Sequence, residues 1–184
     1  MPKIVDRDAM RQKILAGCYE LFALKGYETV TVQTIAKHLG ISTGALYHYF
    51  PSKKAIFLAL ASYISSTEIP IAEAALAQSK TPTERLEAYI NFLKSHEDLL
   101  IKDILLVASL YRHRDELNDE GVLKELGQRF HATIAQFISS DDPERIKFAF
   151  SFFTGLVLQR MVFGEDIDFD RQAQLLKLAL RGLG

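Results

Sequence analysis

The sequence predicts an all-α protein of about nine helices, and three observations support this prediction. Only 10 Gly and 5 Pro occur among 184 residues, and long stretches contain neither, which favours helices over a turn-rich β-sandwich. Apolar residues recur three and four positions apart, whereas no segment shows sustained alternation of period two. Hydrophobic residues make up 48% of the chain and charged residues 24%, so it can bury the core of an ordinary globular protein.

The first two predicted helices are each followed by a glycine. An apolar stripe at helical spacing predicts a helix over about residues 8–25. Gly26 follows it, and glycine readily takes the left-handed conformation that ends a helix. Thr31 then occupies the N-cap position of a short second helix that ends at Gly40.

The third and fourth predicted helices each begin at a serine. Ser42 is placed to cap a short helix that runs to Phe50 and is stopped by Pro51. Ser52 is placed to cap a fourth helix, which carries an apolar stripe and which Pro70 is expected to end or kink.

Five further helices are predicted downstream from capping signals and apolar stripes. Thr81, Pro82 and Glu84 occupy the N-cap, first and third positions of a capping box, a strong sign of a helix start. The five helices are predicted to begin near Thr81, Leu99, Leu123, Asp142 and Asp168 or Asp170, and the last of them to end near Gly182.

Charge is distributed unevenly along the chain, although the formal net charge is only −1. Residues 1–54 carry eight Lys and Arg against four Asp and Glu, whereas the remainder has a net charge of −5. A basic N-terminal part on an acidic body favours a small polyanion-binding module attached to a larger partner- or ligand-binding domain.

The spacing of small and apolar residues around Gly40 is that of a helix-turn-helix. Ala36 is small where two helices would cross closely, and Gly40 permits the sharp turn. Leu46 lies six residues later, in position to fill the small core between the helices. An ordinary helical hairpin shows the same spacing, so the pattern alone leaves both interpretations open.

The outer face of the third helix favours the DNA-binding interpretation. With its apolar positions turned inward, a helical wheel directs Gly44 and His48 outward and places Ala45 and Tyr47 at the flanks. This surface is small, polar and uncharged. It can therefore lie close in a major groove about 12 Å wide, where threonine, alanine and histidine reach base edges.

Together these segments resemble the N-terminal domain of the tetracycline-repressor (TetR) family. The resemblance covers about residues 10–60 and is carried by GYETVTV (26–32), IA (35–36), LGIS (39–42), GALYHYF (44–50) and Lys53. It implies a three-helix DNA-binding domain over residues 1–52 and a helical ligand-binding and dimerisation domain over residues 53–184. It also implies a homodimer that binds an inverted-repeat operator in double-stranded DNA, as a repressor that a small ligand releases.

The resemblance also implies roles for single residues. The candidate DNA-binding set is Thr31, Ser42, Thr43, Gly44, Ala45, Tyr47, His48 and Lys53. Among these, Thr31, Tyr47 and Lys53 match phosphate-contact positions, and Thr43, Ala45 and His48 match base-reading positions. Two departures from the family pattern are Gly17, where alanine is usual, and the pair at residues 38–39, where a small residue normally precedes the turn glycine. Glycine in a helix interior costs roughly 1 kcal/mol against alanine, so the expected consequence is for domain stability and not for DNA binding.

The last two predicted helices expose more apolar surface than one core needs. The eighth is apolar almost all round, and a helix of this kind has to be covered on every side. The core of one chain alone, or a core and a second subunit, would meet that need, and the resemblance favours the homodimer. The candidate dimer interface is Gly155, Leu158, Val162, Leu175, Leu176 and Ala179.

The aromatic content of the helical body predicts a pocket for a small apolar or aromatic effector among the fourth to eighth helices. An aromatic stripe at helical spacing is also what a plain core shows. Candidate lining residues are Tyr89, Phe92, Leu105, Phe130, Phe152 and Gln159, with Asn91, Arg112 and His131 as polar anchors.

Other functional classes have less support. No apolar run reaches the length of a signal peptide or of a membrane-spanning helix, which predicts a cytoplasmic protein without a membrane partner. Nucleotide-binding and hydrolase motifs are missing, so no enzymatic activity, catalytic residue or cofactor is expected. His96, His113 and His131 could gather at a metal ion, but scattered histidines are usually solvated, so no metal is expected.

Cys18 lies on an apolar stripe and is interpreted as a buried hydrophobic residue rather than a redox sensor. A helical protein-interaction or enzyme module without DNA binding is the alternative function.

Overall fold

The computed structural model describes residues 7–118, 121–164 and 167–182, and every regular element within them is a helix. The helices are α1 (Arg7–Thr29), α2 (Val32–Leu39), α3 (Thr43–Tyr49), α4 (Lys53–Leu76), α5 (Pro82–Ser95), α6 (Glu97–Arg112), α7 (Arg114–Leu117), α8 (Val122–Ile138), α9 (Pro143–Phe163) and α10 (Phe169–Gly182). The predicted all-α fold is confirmed. Sequence analysis missed α7 because its four residues are too few to show a period of 3.6.

Side-chain caps begin the helices where the sequence predicts them. The hydroxyls of Thr31 and Ser42 each accept a hydrogen bond of 3.1 Å from the backbone N–H three residues on. Thr81 and Glu84 form the reciprocal capping box, and the Asp168 carboxylate caps α10. Each bond satisfies a backbone N–H that has no partner within the first turn, and so determines where the helix starts.

Helix α1 breaks where the sequence predicts, whereas α4 runs past its proline. The backbone is non-helical at Gly26 (φ 73°, ψ 165°), the predicted end of the first helix, and a short helical piece after this break ends at Thr29. Pro70 was expected to end or kink α4, yet the helix continues to Leu76. Ala72, two residues beyond the proline, is buried. Pro70 therefore does not end α4, although an internal proline costs about 3 kcal/mol.

The chain divides into two compact units. The first runs up to Ser65 and also contains Lys102–Lys124. The second contains Ser66–Ile101 and the chain from Glu125 onward. The predicted boundary between residues 52 and 53 divides the chain by expected function and does not coincide with the division into compact units. It stays a prediction.

The core of the first unit holds α2 and α3 against α1. Ile35 of α2 and Leu46 of α3 are at most 1% exposed. Behind them lies an aromatic cluster, in which the ring of Phe57 is 5.0 Å from Phe22 and 4.8 Å from Tyr27. This burial leaves the opposite face of α3 at the surface, and so positions the candidate site.

The two departures from the family pattern explain each other. A Cβ atom at Gly17 would lie 2.3 Å from Cδ2 of Leu39, far inside van der Waals contact. A large residue before the turn glycine is thus accommodated by a missing side chain on α1. Gly17 is needed for this close approach, in addition to any cost that it imposes on helix stability.

The second unit has a separate aromatic core. Tyr89 of α5 lies with its ring centroid 4.2 Å from that of Phe137 and 4.3 Å from that of Phe153. Helix α10 packs against both α5 and α9. Arg160 of α9 forms two hydrogen bonds with the Glu97 carboxylate, at 2.8 and 2.9 Å, which ties α9 to the start of α6.

Candidate nucleic-acid interface

Helix α3 carries the candidate DNA-binding face. Leu46 and Phe50, one turn apart, are each 1% exposed and anchor the helix in the core. On the other side, Thr43, Gly44, Tyr47 and His48 are exposed, with Ala45 half-buried at their flank. The structure therefore brings five of the eight candidate residues together on one small surface without a carboxylate, and Ser42 caps the same helix.

Arg11 of α1 holds the end of this helix in place. Its guanidinium donates a hydrogen bond to the carbonyl oxygen of Tyr49 and lies 4.1 Å from the centroid of the Phe50 ring. A cation is favourable at the C-terminal carbonyls of a helix. Sequence analysis missed Arg11, although it lies three and four positions before the buried Ile14 and Leu15 and so shares their helical face.

Lys53 lies at the start of α4 and is fixed by two contacts with Tyr27. Its Nζ donates a hydrogen bond of 2.8 Å to the Tyr27 carbonyl oxygen and lies 4.0 Å from the centroid of the tyrosine ring. A cation over an aromatic face is attracted by the electron-rich ring. The candidate phosphate-contacting amine therefore has a defined place in the chain before any phosphate binds.

A buried histidine lies beneath Tyr27. The His113 ring is 5.1 Å from the Tyr27 ring, and its Nε2 is 3.0 Å from Oε1 of Glu28. The Ser109 carbonyl and then the Glu28 carboxylate raise the pKa of His113, against the opposing effect of burial. The hydrogen bond from His113 in turn lowers the pKa of Glu28. No local sequence signal could have found this pair, since 85 positions separate its members.

Cys18 is completely buried in the first unit. Burial raises the pKa of its thiol to about 12, because an apolar surrounding disfavours the thiolate. The thiolate is the reactive form of cysteine, so this environment suits a packing residue.

The candidate effector residues do not all lie in one region. Tyr89 and Phe92 are buried and Phe130, His131 and Phe152 are half-buried, all within the second unit. Asn91 and Gln159 of the same unit are exposed, and Leu105 and Arg112 belong to the first unit. Burial, and then the charge of Glu68, raise the pKa of Tyr89. The buried aromatic side chains of the second unit are thus the part of the set that shares one environment.

The candidate dimer residues lie on α9 and α10, and all but one are accessible. Val162 is 70% exposed, Leu175 52% and Leu158 42%, whereas Leu176 is only 1% exposed and packs inside its own chain. A Cβ atom at Gly155 would meet nothing within 4 Å, and Ala179 is half-buried. Leu178 belongs to the apolar face that the sequence predicts for this helix, although not to the candidate interface set, and it is 65% exposed three positions after Leu175.

Metal binding and membrane insertion are the two other properties that the structure addresses. Within the part of the chain that the structure describes, no three His, Cys, Asp or Glu side chains are arranged to hold a metal ion. Helices α4 and α9 have the length and apolar composition that a membrane span requires. Core helices of proteins outside membranes meet the same two criteria, so length and composition decide nothing here.

Comparisons with known proteins agree with the helix-turn-helix geometry. Residues 14–60 match the family model described as bacterial regulatory proteins, tetR family. The chain is 50% identical over 50 residues, 27% of its length, to the uncharacterized HTH-type transcriptional regulator YuxN of Bacillus subtilis (strain 168). It is 41% identical over 63 residues, 33% of its length, to the HTH-type transcriptional repressor Rv1474c of Mycobacterium tuberculosis (strain ATCC 25618 / H37Rv). These matches span only 17% and 34% of the two relatives.

The whole fold also has a counterpart among solved structures. The transcriptional regulator FadR from Bacillus subtilis, in complex with stearoyl-CoA, superposes with a TM-score of 0.68 and 18% sequence identity. The superposition covers 91% of this chain and 97% of that one. Residues 14–60, which contain the helix-turn-helix, thus match the model of the tetR family of bacterial regulatory proteins, and the whole chain is similar in fold to a solved transcriptional regulator.

Proposed function

We propose that the protein is a ligand-responsive transcriptional repressor that binds an inverted-repeat operator as a homodimer in the cytoplasm. The observation that carries this proposal is the outer face of α3, which is exposed, uncharged and built from small or polar side chains around an apolar anchor. Residues 1–52 would form the DNA-binding domain and residues 53–184 the ligand-binding and dimerisation domain. The relatives that the chain matches are regulators, which favours a regulatory over an enzymatic role.

The proposed roles on DNA follow from position and chemistry. Thr43, Ala45 and His48 present a hydroxyl, a methyl and an imidazole, the groups that can contact base edges in a major groove. Ser42 and Gly44 shape the start of α3 and keep it slim enough to approach closely. Thr31 at the start of α2, Tyr47 on α3 and Lys53 at the start of α4 supply donors for phosphate oxygens, contacts that position a protein without reading sequence.

The homodimer is proposed from the apolar surface of α9 and α10. In α9, 22% of an apolar 18-residue stretch is buried within the chain, whereas 44% of a comparable stretch of α4 is buried. Val162, Phe163 and Leu178 are each at least 60% exposed. Several large apolar side chains left exposed on two helices favour a protein interface in a protein that stays in water. The proposed interface is therefore Gly155, Leu158, Val162, Leu175, Leu178 and Ala179, with Leu176 behind it.

The effector is proposed to be a small molecule with a large apolar part, bound in the second unit. The buried rings of Tyr89, Phe137 and Phe153 would offer it an apolar wall, and His131 is a nearby polar candidate of the same unit. The FadR of Bacillus subtilis holds stearoyl-CoA in this fold, which supports an apolar ligand here. If the ligand weakens operator binding tenfold, the operator must weaken ligand binding tenfold, a coupling of about 1.4 kcal/mol.

Selection from random duplex DNA tests this function. The full chain should enrich an inverted repeat, whose half-sites are centred about 10 bp apart or a multiple of that distance. Tyr47→Ala is the variant expected to lose affinity for every sequence, and Lys80→Ala, which removes an exposed charge before α5, is the matched control. Enrichment of no sequence would favour the alternative, a helical interaction module. Enrichment of a single half-site would contradict the dimer.

Calorimetry then tests the response to a ligand. A long-chain acyl-CoA is the first probe, titrated into the protein with and without the selected operator. We expect weaker binding in the presence of operator, as linkage requires. Equal affinity in both titrations would show that this class of ligand does not act on DNA binding.

A further inference from the structure

Both ring nitrogens of His113 are within hydrogen-bonding distance of an oxygen atom, and this bears on the protonation of the ring. Its Nδ1 lies 2.9 Å from the Ser109 carbonyl oxygen and its Nε2 lies 3.0 Å from the Glu28 carboxylate. Glu28 is largely exposed and its pKa is lowered, so it is a carboxylate. Carbonyl and carboxylate oxygens only accept hydrogen bonds, and only the imidazolium carries two N–H groups to donate to both. This arrangement therefore favours the charged form of His113.

The charged groups around this histidine lead towards the candidate DNA-binding face. Glu28 is at the end of α1, two residues before the segment that begins α2. Three cations act on its carboxylate: His113 most strongly, and then Arg112 and Lys53 through their charges. The charge of Glu116 of α7 also acts on His113, more weakly than Glu28.

Lys53 is the member of this group with a proposed role on DNA. Its amine lies 4.0 Å from the centroid of the Tyr27 ring, and the His113 ring contacts the same tyrosine at 5.1 Å. Lys53 Nζ binds the carbonyl oxygen of Tyr27, the residue before Glu28, and the charges of Lys53 and Glu28 interact. The Glu28 carboxylate therefore competes with DNA phosphate for the same ammonium group through its charge. How strongly Glu28 competes depends on how completely another cation neutralises it.

We infer that protonated His113 is a positioning residue for DNA binding: it neutralises Glu28 and thereby leaves Lys53 available to a phosphate. The inference rests on the proposed phosphate contact of Lys53. When His113 loses its proton, Glu28 keeps its charge and attracts Lys53 and Arg112 more strongly. The protein then binds DNA more weakly, although no group that touches DNA has itself been altered.

The pH range follows from the directions of the two shifts. The pKa of His113 is raised in the folded protein, so its contribution is fully present below about pH 6.5, the ordinary histidine value, and is lost as the pH rises through the raised value. The pKa of Glu28 is lowered, so its charge is present above its ordinary value and is lost only as the pH falls through the lowered one. The effect on DNA affinity therefore appears as the pH rises above about 6.5 and through the raised pKa of His113.

A double-mutant cycle of the full chain tests the inference. The proteins are the wild type, His113→Gln, Glu28→Gln and the double variant, and the measurement is fluorescence anisotropy with the selected operator from about pH 6 to pH 9 at constant ionic strength. We expect His113→Gln to bind about two- to fivefold more weakly than the wild type at the low end, the range of a partly exposed ion pair. At the high end of the pH range, the operator affinity of the wild type should fall to that of His113→Gln. Other titrating groups are common to all four proteins, so they cancel in the comparison.

The operator affinity of Glu28→Gln distinguishes this role from a purely structural contact between two helices. If His113 acts by neutralising Glu28, then Glu28→Gln binds at least as tightly as the wild type, and adding it to His113→Gln restores affinity. If the pair merely held two helices together, both single variants would weaken binding and the double variant would not recover, which would overturn the inference. A ratio of wild type to His113→Gln that stays constant with pH would overturn it as well.

Two further outcomes are covered by the same set of proteins. If circular dichroism shows that His113→Gln does not fold, the ratio of wild type to Glu28→Gln decides, since the Glu28 side chain is 77% exposed and its substitution leaves the core intact. The ratio of the two operator affinities should change about two- to fivefold over the same pH range. A constant ratio overturns the inference. A wild type that binds no duplex DNA at any pH would overturn the proposed function itself, a result different from binding without the pH effect.

Discussion

The exposed faces of α3 and of α9–α10 are both helical surfaces at the outside of the chain, but their chemistry is opposite. Along α3 the exposed positions are threonine, glycine, tyrosine and histidine. Along α9 and α10 they include Val162, Phe163 and Leu178, each at least 60% exposed. The first surface is stable in water and can exchange that water for DNA. The second is costly in water, at about 25 cal/mol for each Å² of apolar area, and would be stabilised by the proposed second subunit. The chemistry of the two faces thus favours two different partners.

The largest expected effect comes from placing a charge on the apolar face. Val162→Asp should convert the proposed dimer to a monomer, because the carboxylate would be buried without a partner. Operator affinity should then fall by about 100-fold or more, the gain that two linked half-site modules provide. Sedimentation equilibrium and anisotropy measure the two effects. Gln128→Glu, an equal charge on the exposed side of α8, is the control, and a Val162→Asp protein that stays dimeric contradicts the assigned surface.

Substitutions on the exposed polar face of α3 should change which DNA sequence the protein prefers. Thr43→Val and His48→Ala should each change the preferred base at one position of the half-site, by about 1 to 3 kcal/mol per lost contact. Lys53→Met should instead weaken binding to all sequences alike and reduce the salt slope by about one. Competition with single-base operator variants at two salt concentrations distinguishes these patterns. Uniform weakening by Thr43→Val would remove it from the base-reading set.

Matched helix caps compare the two regions directly. Ser42→Ala and Thr81→Ala each remove a hydroxyl that caps a helix, so each should lower the free energy of unfolding by about 1 kcal/mol. Only Ser42→Ala should also weaken operator binding, because only its cap shapes the start of α3. Urea denaturation and anisotropy provide the two readings. Equal losses of operator affinity would mean that stability, and not the local geometry of α3, limits binding.

The scaffold behind α3 depends on the fit of Gly17 to Leu39. Gly17→Ala gains roughly 1 kcal/mol of helix stability, but the new methyl group displaces Leu39, and overpacking costs about 1 to 3 kcal/mol. We therefore expect no net stabilisation from Gly17→Ala alone. In a Leu39→Ala background the same change should stabilise the protein by about 1 kcal/mol. The cycle is measured by urea denaturation, and equal effects in both backgrounds would contradict the proposed fit.

The smallest effect is expected at Cys18. Since burial raises the pKa of its thiol to about 12, almost no thiolate exists near pH 8, and the folded protein should react with iodoacetamide far more slowly than the unfolded chain. Mass spectrometry after labelling with and without urea measures the difference. Rapid labelling of the folded protein would revive the redox-sensor interpretation.

Local features predicted much of the fold and part of the candidate site. The cap at Thr31, the capping box at Thr81 and the turn at Gly40 were all readable, because a cap or a turn depends on residues three or four positions apart. The outward face of α3 followed from the helical period alone. At Pro70 the sequence left open an end or a kink of α4, and the structure excludes the end, because the helix continues to Leu76.

The sequence by itself determined the class of fold, the position of most helix ends and the face that α3 presents, because each depends on neighbours within one or two helical turns. Only the tertiary structure decided which side of α10 is buried, so that Leu176 is covered and Leu178 is exposed. It also decided that Arg11 reaches the end of α3 and that His113 meets Glu28. Those contacts join residues 38 and 85 positions apart, and no local period or propensity specifies which distant side chains the packing of helices brings within hydrogen-bonding distance.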